Sequence, residues 1–243
     1  MIILNNWYGR LGNNIQQIFN VISIALFYEQ DIYFKVNHTF FDLKVIENYF
    51  NKYKNSKNIT DKYNFFFTRK LPFPKYIFEL NTIEKINLMK KSFLIKDIDK
   101  LDENDLVIHI RSGDLFRKKP HGCYIPPPLS YYVKQINKHK YKQIIIVCED
   151  KINPVVNKLL ELYKKNTVHN INSLEEDIKI ILGATNIISS VGTFTFSLLI
   201  FSNHIKYHYG KQGNNKELKD YYKIMKPWIN TKEQRDYILS YKY

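Results

Sequence analysis

Apolar residues run along this chain in two rhythms. Short, nearly unbroken apolar stretches recur: MIILNN at the start, DIYFKV, LVIHI, QIIIVCE, TVHNI, NIISSV and IKYHYG. Such runs read as strands, and those buried on both faces lose the polar alternation of a half-exposed sheet. Between them lie longer segments in which apolar residues return every three or four positions. In NIQQIFNVISIALFYEQ, Ile15, Ile18, Phe19, Ile22 and Leu26 fall on one helical face. PLSYYVKQINKH, NPVVNKLLELYKKN, SLEEDIKIILGAT and TFTFSLLIFS read as helices in the same way. Ser173 at an N-cap with Glu176 three residues later spells a capping box.

Strands alternating with helices predict an α/β chain whose parallel sheets are covered on both faces. The pattern is weaker from His38 to Asp105, a Lys/Asn-rich region with FPKYIFEL and TIEKINLMKKSFLI as its only elements. The expected organisation is an N-terminal α/β lobe over residues 1–102 and a regular, Rossmann-like C-terminal lobe over residues 103–243. The tail YYKIMKPWINTKEQRDYILSYKY reads as helical.

Composition narrows the classes. With 44% hydrophobic residues the chain buries a real core, which sets disorder aside. Cys123 and Cys148 stand far apart, in neither a disulfide framework nor a zinc-ligand spacing. The N-terminus enters an apolar strand without the regions of a signal peptide, and no apolar run reaches the roughly 20 residues of a membrane span. A soluble, cytoplasmic protein is expected. The net charge of +14 favours anionic partners: a nucleotide, a nucleic acid or an acidic membrane face touched peripherally.

Ligands of open α/β sheets bind beyond the carboxyl ends of the strands. Three glycine-containing loops fall there: YGRLGNN, RSGDLF and SSVGTFTF. Only five of the 37 basic residues are Arg, and two of these, Arg10 and Arg111, sit in those loops. A planar, bidentate donor at a strand end suits phosphate oxygens. VGTFTFS adds hydroxyls and backbone N–H groups at a predicted helix N-terminus, where an anion is favoured. Asp177 has two readings: an acceptor for a base such as guanine, or an acidic residue complementing the dipole of its helix.

GRLGNN before an apolar helix, VIHIRSGD on a central strand and ATNIISSVGTFTFSLL near the end resemble, in order, the motifs of the fucosyltransferase-like superfamily. That group contains bacterial α-1,2-fucosyltransferases and protein O-fucosyltransferases. CYIPPPLSYYVKQI resembles the YY-containing helix that follows the second motif. Two positions depart from the pattern: Asn14 where the family usually has Gln, and Ser112 where it often has a second Arg. The resemblance implies a GT-B-like fold of two Rossmann-like lobes and an inverting, metal-independent transfer of L-fucose from GDP-fucose to a hydroxyl of a glycan or other acceptor. It implies that Arg111 binds the pyrophosphate and helps it depart. His109 and Asp114 would line the donor pocket, and Arg10, Gly12 and Asn13 would close it. Asp177 would meet guanine, and Gly192, Thr193, Phe194, Thr195 and Phe196 would hold phosphate and ribose. Asp114 and His121 are candidates for the acceptor's base by residue type. In such a fold the tail would cross back to the N-terminal lobe.

Three alternatives stay open. Asp97-Ile98-Asp99 spells a D-x-D that would hold a divalent cation, or a surface turn between Lys96 and Lys100. A basic nucleic-acid-binding protein would account for the charge, although the aromatics follow the apolar periodicity of a core. A catalytically inactive nucleotide-sugar-binding relative would keep the loops without the reaction.

Overall fold

The computed structural model describes residues 1–51, 59, 63–210 and 218–242. Residues 52–58 and 60–62 of the Lys/Asn-rich region, residues 211–217 and the last residue of the tail lie outside them. The chain divides into two compact units, Met1–Asp97 and Ile98–Tyr243. Both are α/β, and their strands pair parallel throughout.

In the first unit, β1 (Ile2–Leu4) pairs with β2 (Ile32–Phe34) after the crossover helix α1 (Leu11–Tyr28). Ile15, Ile18 and Ile22 are sealed beneath the helix as its periodicity predicts. The helix starts three residues earlier than the apolar pattern indicates. Leu11 is buried, and the carbonyl of Arg10 accepts from both Asn13 N (2.9 Å) and Asn14 N (3.2 Å), so Gly12 and Asn13 form a first turn rather than a loop. A further helix, α2 (Leu43–Phe50), occupies the irregular region. Asp42 caps it through Lys44 N, Ile46 and Phe50 are buried, and the Glu47 carboxylate accepts from Phe34 N at 2.8 Å, fastening the helix to β2. FPKYIFEL forms a 3-10 turn at Lys75–Phe78, and TIEKINLMKKS is α3 (Thr82–Ser92). Lys85 of α3 is fully buried. Its Nζ donates to the Phe78 carbonyl (2.9 Å) and lies 4.5 Å from the centre of the Phe19 ring. Burial without a carboxylate partner in those contacts pushes its pKa down to about 8.

The second unit holds a sheet of five strands: β3 (Asp105–His109), β4 (Gln143–Val147), β5 (Thr167–His169), β6 (Asn186–Ser189) and β7 (Tyr207–Tyr209). Their order is β5-β4-β3-β6-β7, the doubly wound arrangement. Leu106, Ile108, Ile144, Ile146 and Ile188 form the floor of the core. The crossovers are α4 (Leu129–Ile136), α5 (Pro154–Leu162), α6 (Leu174–Gly183) and the short α7 (Phe194–Leu198). The capping box of α6 is formed as read. TFTFSLLIFS, expected as one helix, gives only the five residues of α7 and then a 3-10 turn, Leu199–Phe201. Ser202 ends it by donating to the Leu182 carbonyl (2.7 Å). The tail forms α8 (Lys219–Met225) and α9 (Lys232–Ser240). Within its unit α9 packs on α4 and α5, and the buried Trp228 donates to the Leu115 carbonyl at 2.7 Å. Among the described residues, no helix is long and apolar enough to cross a membrane.

Candidate active site

The chain leaves β3 toward β4 on one side and reaches β6 on the other, so the crevice of this sheet opens between β3 and β6. Two of the three sequence loops meet there. Arg111 follows β3, and its guanidinium forks onto Asp114, Nε to Oδ1 at 3.1 Å and Nη2 to Oδ2 at 2.7 Å. Its Cζ lies over the Tyr124 ring, 4.2 Å from the ring centre. Gly192, after β6, has φ +106, and a Cβ there would stand 2.5 Å from Arg111 Nη1. Only glycine allows both the backbone turn and the approach of the guanidinium. Asp114 thus takes the Nε edge of the fork, and the Nη1–Nη2 edge turns toward the β6 loop.

The turn that carries Arg111 is held from below. Ser112 is fully buried; it hydrogen-bonds to Asp150, and its Oγ accepts from Asn153 N at 3.1 Å. Asp150 also accepts from Gly113 N (3.1 Å), and the Asn153 amide donates to the Arg111 carbonyl (3.1 Å). Ser112 is therefore an anchor joining the β3 turn to the β4 turn. An arginine would have no room in this sealed position. At Gly113 (φ +27) a Cβ would collide with the Glu149 carboxylate, which brings a second acid to the rim.

His109, the last residue of β3, packs its ring 5.2 Å from Phe194. Its Nδ1 is buried and has no hydrogen-bond partner among the described residues, and the same holds for Thr195 Oγ1 on α7. Buried polar atoms are usually satisfied, so each of these two, like several others in the fold, keeps unused bonding capacity. Burial first, and then the charge of Arg111, pushes the His109 pKa down to about 4, so the ring is neutral. Phe196 is half exposed, and Thr193 occupies the N-cap position of α7 without a side-chain capping bond. A five-residue helix has too few aligned peptides for the anion-holding dipole expected of a long one.

Asp177 lies in the first turn of α6 but differs from its neighbours. Glu175 and Glu176 face solvent, whereas Asp177 is buried and accepts from the Asn172 amide at 3.2 Å. Burial pushes its pKa up to about 6. His121 is exposed, with its ring 4.9 Å from that of Tyr124. The contacts of Tyr124 with His121 on one side and Arg111 on the other, with Arg111 forked onto Asp114, bring the three candidate catalytic residues Arg111, Asp114 and His121 into one neighbourhood. Sequence reading missed Tyr124, Asp150 and Asn153. Asp150, the polar end of the apolar run QIIIVCED, carried the same signal as Arg111, while nothing in the sequence marks Tyr124.

The first loop belongs to the N-terminal unit. Arg10 is exposed at the N-cap of α1, Gly12 is buried in the first turn, and the Asn13 side chain lies against Gly9. Asn14 donates to the Tyr8 carbonyl (3.2 Å), and buried Gln17 ties Tyr8 N, the Asn6 carbonyl and the Asn64 carbonyl together. His38 Nδ1 accepts from Phe40 N (3.0 Å), which leaves its Nε2 hydrogen facing Asn14 Oδ1 at 3.4 Å. The Asn14 departure is accordingly built into the support of the loop. Asp97 and Asp99 are exposed, and the Asp99 carbonyl lies against Gly183 at the end of α6. Among the described residues, no three His, Cys, Asp or Glu side chains are grouped as metal ligands would be.

No family model matches the chain, and no curated protein matches it. Among solved structures, POFUT1 in complex with GDP overlaps it with a TM-score of 0.49 at 10% identity, over 86% of this chain and 97% of that one. POFUT1 in complex with GDP-fucose overlaps with a TM-score of 0.48 at 12% identity in two crystal forms, over 87% and 86% of this chain and 98% and 97% of those. With overlaps of this size, function rests on the residues themselves.

Proposed function

We propose that this protein is a glycosyltransferase that moves L-fucose from GDP-fucose to a hydroxyl of a glycan or other acceptor, with inversion and without a metal. One observation carries the reading: Arg111 is held by Asp114 at the β3–β6 crevice, with its second edge turned to Gly192. Transfer of a sugar from a nucleoside diphosphate leaves charge on the departing phosphate. A preorganised guanidinium edge with nearby backbone N–H groups stabilises that charge as it develops. Neutral His109 and Thr195 supply the orphan polar atoms that a donor would satisfy. Asp177 with Asn172 supplies acceptor and donor groups for a guanine edge, and the loop motifs of the sequence supply the sugar. Both carboxylate oxygens of Asp114 already accept from Arg111, so the exposed His121 is the better-placed base for the acceptor hydroxyl.

Calorimetry with GDP, UDP and ADP on one preparation tests the donor. GDP alone should bind saturably, and GDP-fucose should then be consumed in the presence of a chelator. Equal binding of the three nucleotides, or none, removes the guanine assignment. A strict requirement for added manganese moves the chemistry to Asp97 and Asp99.

A further inference from the structure

Around the last turn of α1, five aromatic rings meet at the surface of the N-terminal unit. Phe27 contacts Tyr28 (4.9 Å between centroids) and Tyr76 (5.6 Å), Tyr28 contacts Phe73 (5.8 Å), and Phe73 contacts Tyr63 (6.1 Å). Phe27, Tyr28 and Tyr76 are 39%, 38% and 52% exposed. The 3-10 turn Thr68–Lys70 packs on the turn that carries Tyr76. Just before it, exposed Phe67 has the Lys70 ammonium 5.2 Å and the Arg69 guanidinium 5.9 Å from its ring centre. Exposed Lys75 precedes Tyr76. Single exposed rings are ordinary on any surface; a connected series edged with cations is not.

We propose that this patch docks the protein peripherally on an anionic lipid bilayer. Aromatic side chains settle at the boundary between headgroups and acyl chains, where an apolar body and a polar edge are both accommodated. Arg69, Lys70 and Lys75 reach anionic headgroups while their stems stay against the rings. The net charge of +14 adds attraction at longer range. Ring geometry separates this partner from a single-stranded nucleic acid. Phe27–Tyr28, Phe27–Tyr76 and Tyr63–Phe73 meet at 84°, 77° and 73°. These three pairs abut edge to face and Tyr28–Phe73 is tilted at 55°, whereas a nucleic-acid track offers successive open faces for bases. The patch uses none of the residues assigned to sugar transfer, so the two proposals stand separately.

The test is co-sedimentation of the full chain with vesicles of phosphatidylcholine, with and without about one third phosphatidylglycerol. Binding should require the anionic lipid and weaken with salt. Arg69→Gln and Lys70→Gln should each lower partitioning about fivefold. Phe27→Ser with Tyr76→Ser should lower it at least as much, with melting temperature unchanged. If Phe27→Ser destabilises the fold, Tyr76→Ser alone supplies the ring deletion at the more exposed position. The proposal is overturned by absent sedimentation with anionic vesicles. Sedimentation indifferent to both sets of variants overturns it too, as does polyuridylate that displaces the vesicles and loses affinity in the same variants.

Discussion

Arg111 makes two separable contributions, and the turn around it lets them be told apart. Its fork to Asp114 ties the turn, but Ser112, Gly113 N and Asn153 hold the same turn to the β4 end without it. Arg111→Lys should therefore stay folded while losing the bidentate edge, at a cost of roughly 2–4 kcal/mol in transition-state stabilisation. Ser112→Ala should do the reverse, losing about 1–3 kcal/mol of stability by leaving the buried Asn153 N without its acceptor and taking one bond from half-buried Asp150. Turnover beside melting temperature reads both, and full turnover in a folded Arg111→Ala protein removes the phosphate role. Protonation gives a second handle. His109 titrates near 4 in the fold against an ordinary 6.5, so the unfolded chain takes up a proton that the fold refuses; its contribution is lost as pH falls from 6.5 toward 4. Asp177 runs the other way. Its folded value near 6 lies above the ordinary 3.8, so its contribution is present below 3.8 and lost as pH rises through 6. The ionised carboxylate presents acceptors at both oxygens to the N–H groups of a guanine edge, whereas the protonated acid turns one of them into a donor. GDP affinity should therefore weaken as pH falls from about 7.5 to about 5, and Asp177→Asn should flatten that profile. A profile that Asp177→Asn leaves unchanged detaches the residue from the base.

At the scale of elements, the proposed guanine contact of Asp177 would tie recognition to the capping box of α6. The Ser173 hydroxyl accepts from Glu176 N and the Glu176 carboxylate from Ser173 N, which sets the first turn that positions Asp177 beside Asn172. Ser173→Ala should cost about 1 kcal/mol and narrow the preference for GDP over ADP. Thermal melts and paired calorimetry check this; an unchanged preference means that α6 positions nothing. Elements such as α6 were legible because a capping box and a 3.6-residue period mark them in one dimension. The runs before Arg111 and Asp150 were legible because strands buried on both faces admit nothing polar until the sheet ends. The helix α2 was not, since its eight residues rest on a cap from Asp42 and a distant bond from Glu47 to β2. TFTFSLLIFS misled for the converse reason: its apolar residues suit a longer helix, but Ser202 bonds to α6 and closes it early. Within the site, strand-end residues could be named from sequence. Tyr124 and the Ser112–Asp150 link could not, because they depend on which turns the sheet brings side by side.

For the molecule as a whole, charge sets the terms on which anions arrive. With a net +14, GDP association should slow as salt screens the field, while the bound complex, made by a few placed donors, should weaken only modestly. Stopped-flow and calorimetry over a salt series separate the two; affinity falling as a high power of salt would instead indicate many phosphate contacts and a nucleic-acid ligand. The same abundance of positive charge leaves 32 lysines once the five Arg are taken from 37 basic residues, and Lys85 alone among the described lysines is sealed in the core. Its amine is chemically readier than a surface lysine, since burial favours the neutral form, yet no reagent reaches it while α3 lies on α1. Acylation of Lys85 by an amine-reactive ester, followed by mass spectrometry, should therefore lag behind the surface sites and proceed only as fast as α3 lifts away. One side chain then acts as a clock for how often the N-terminal unit opens.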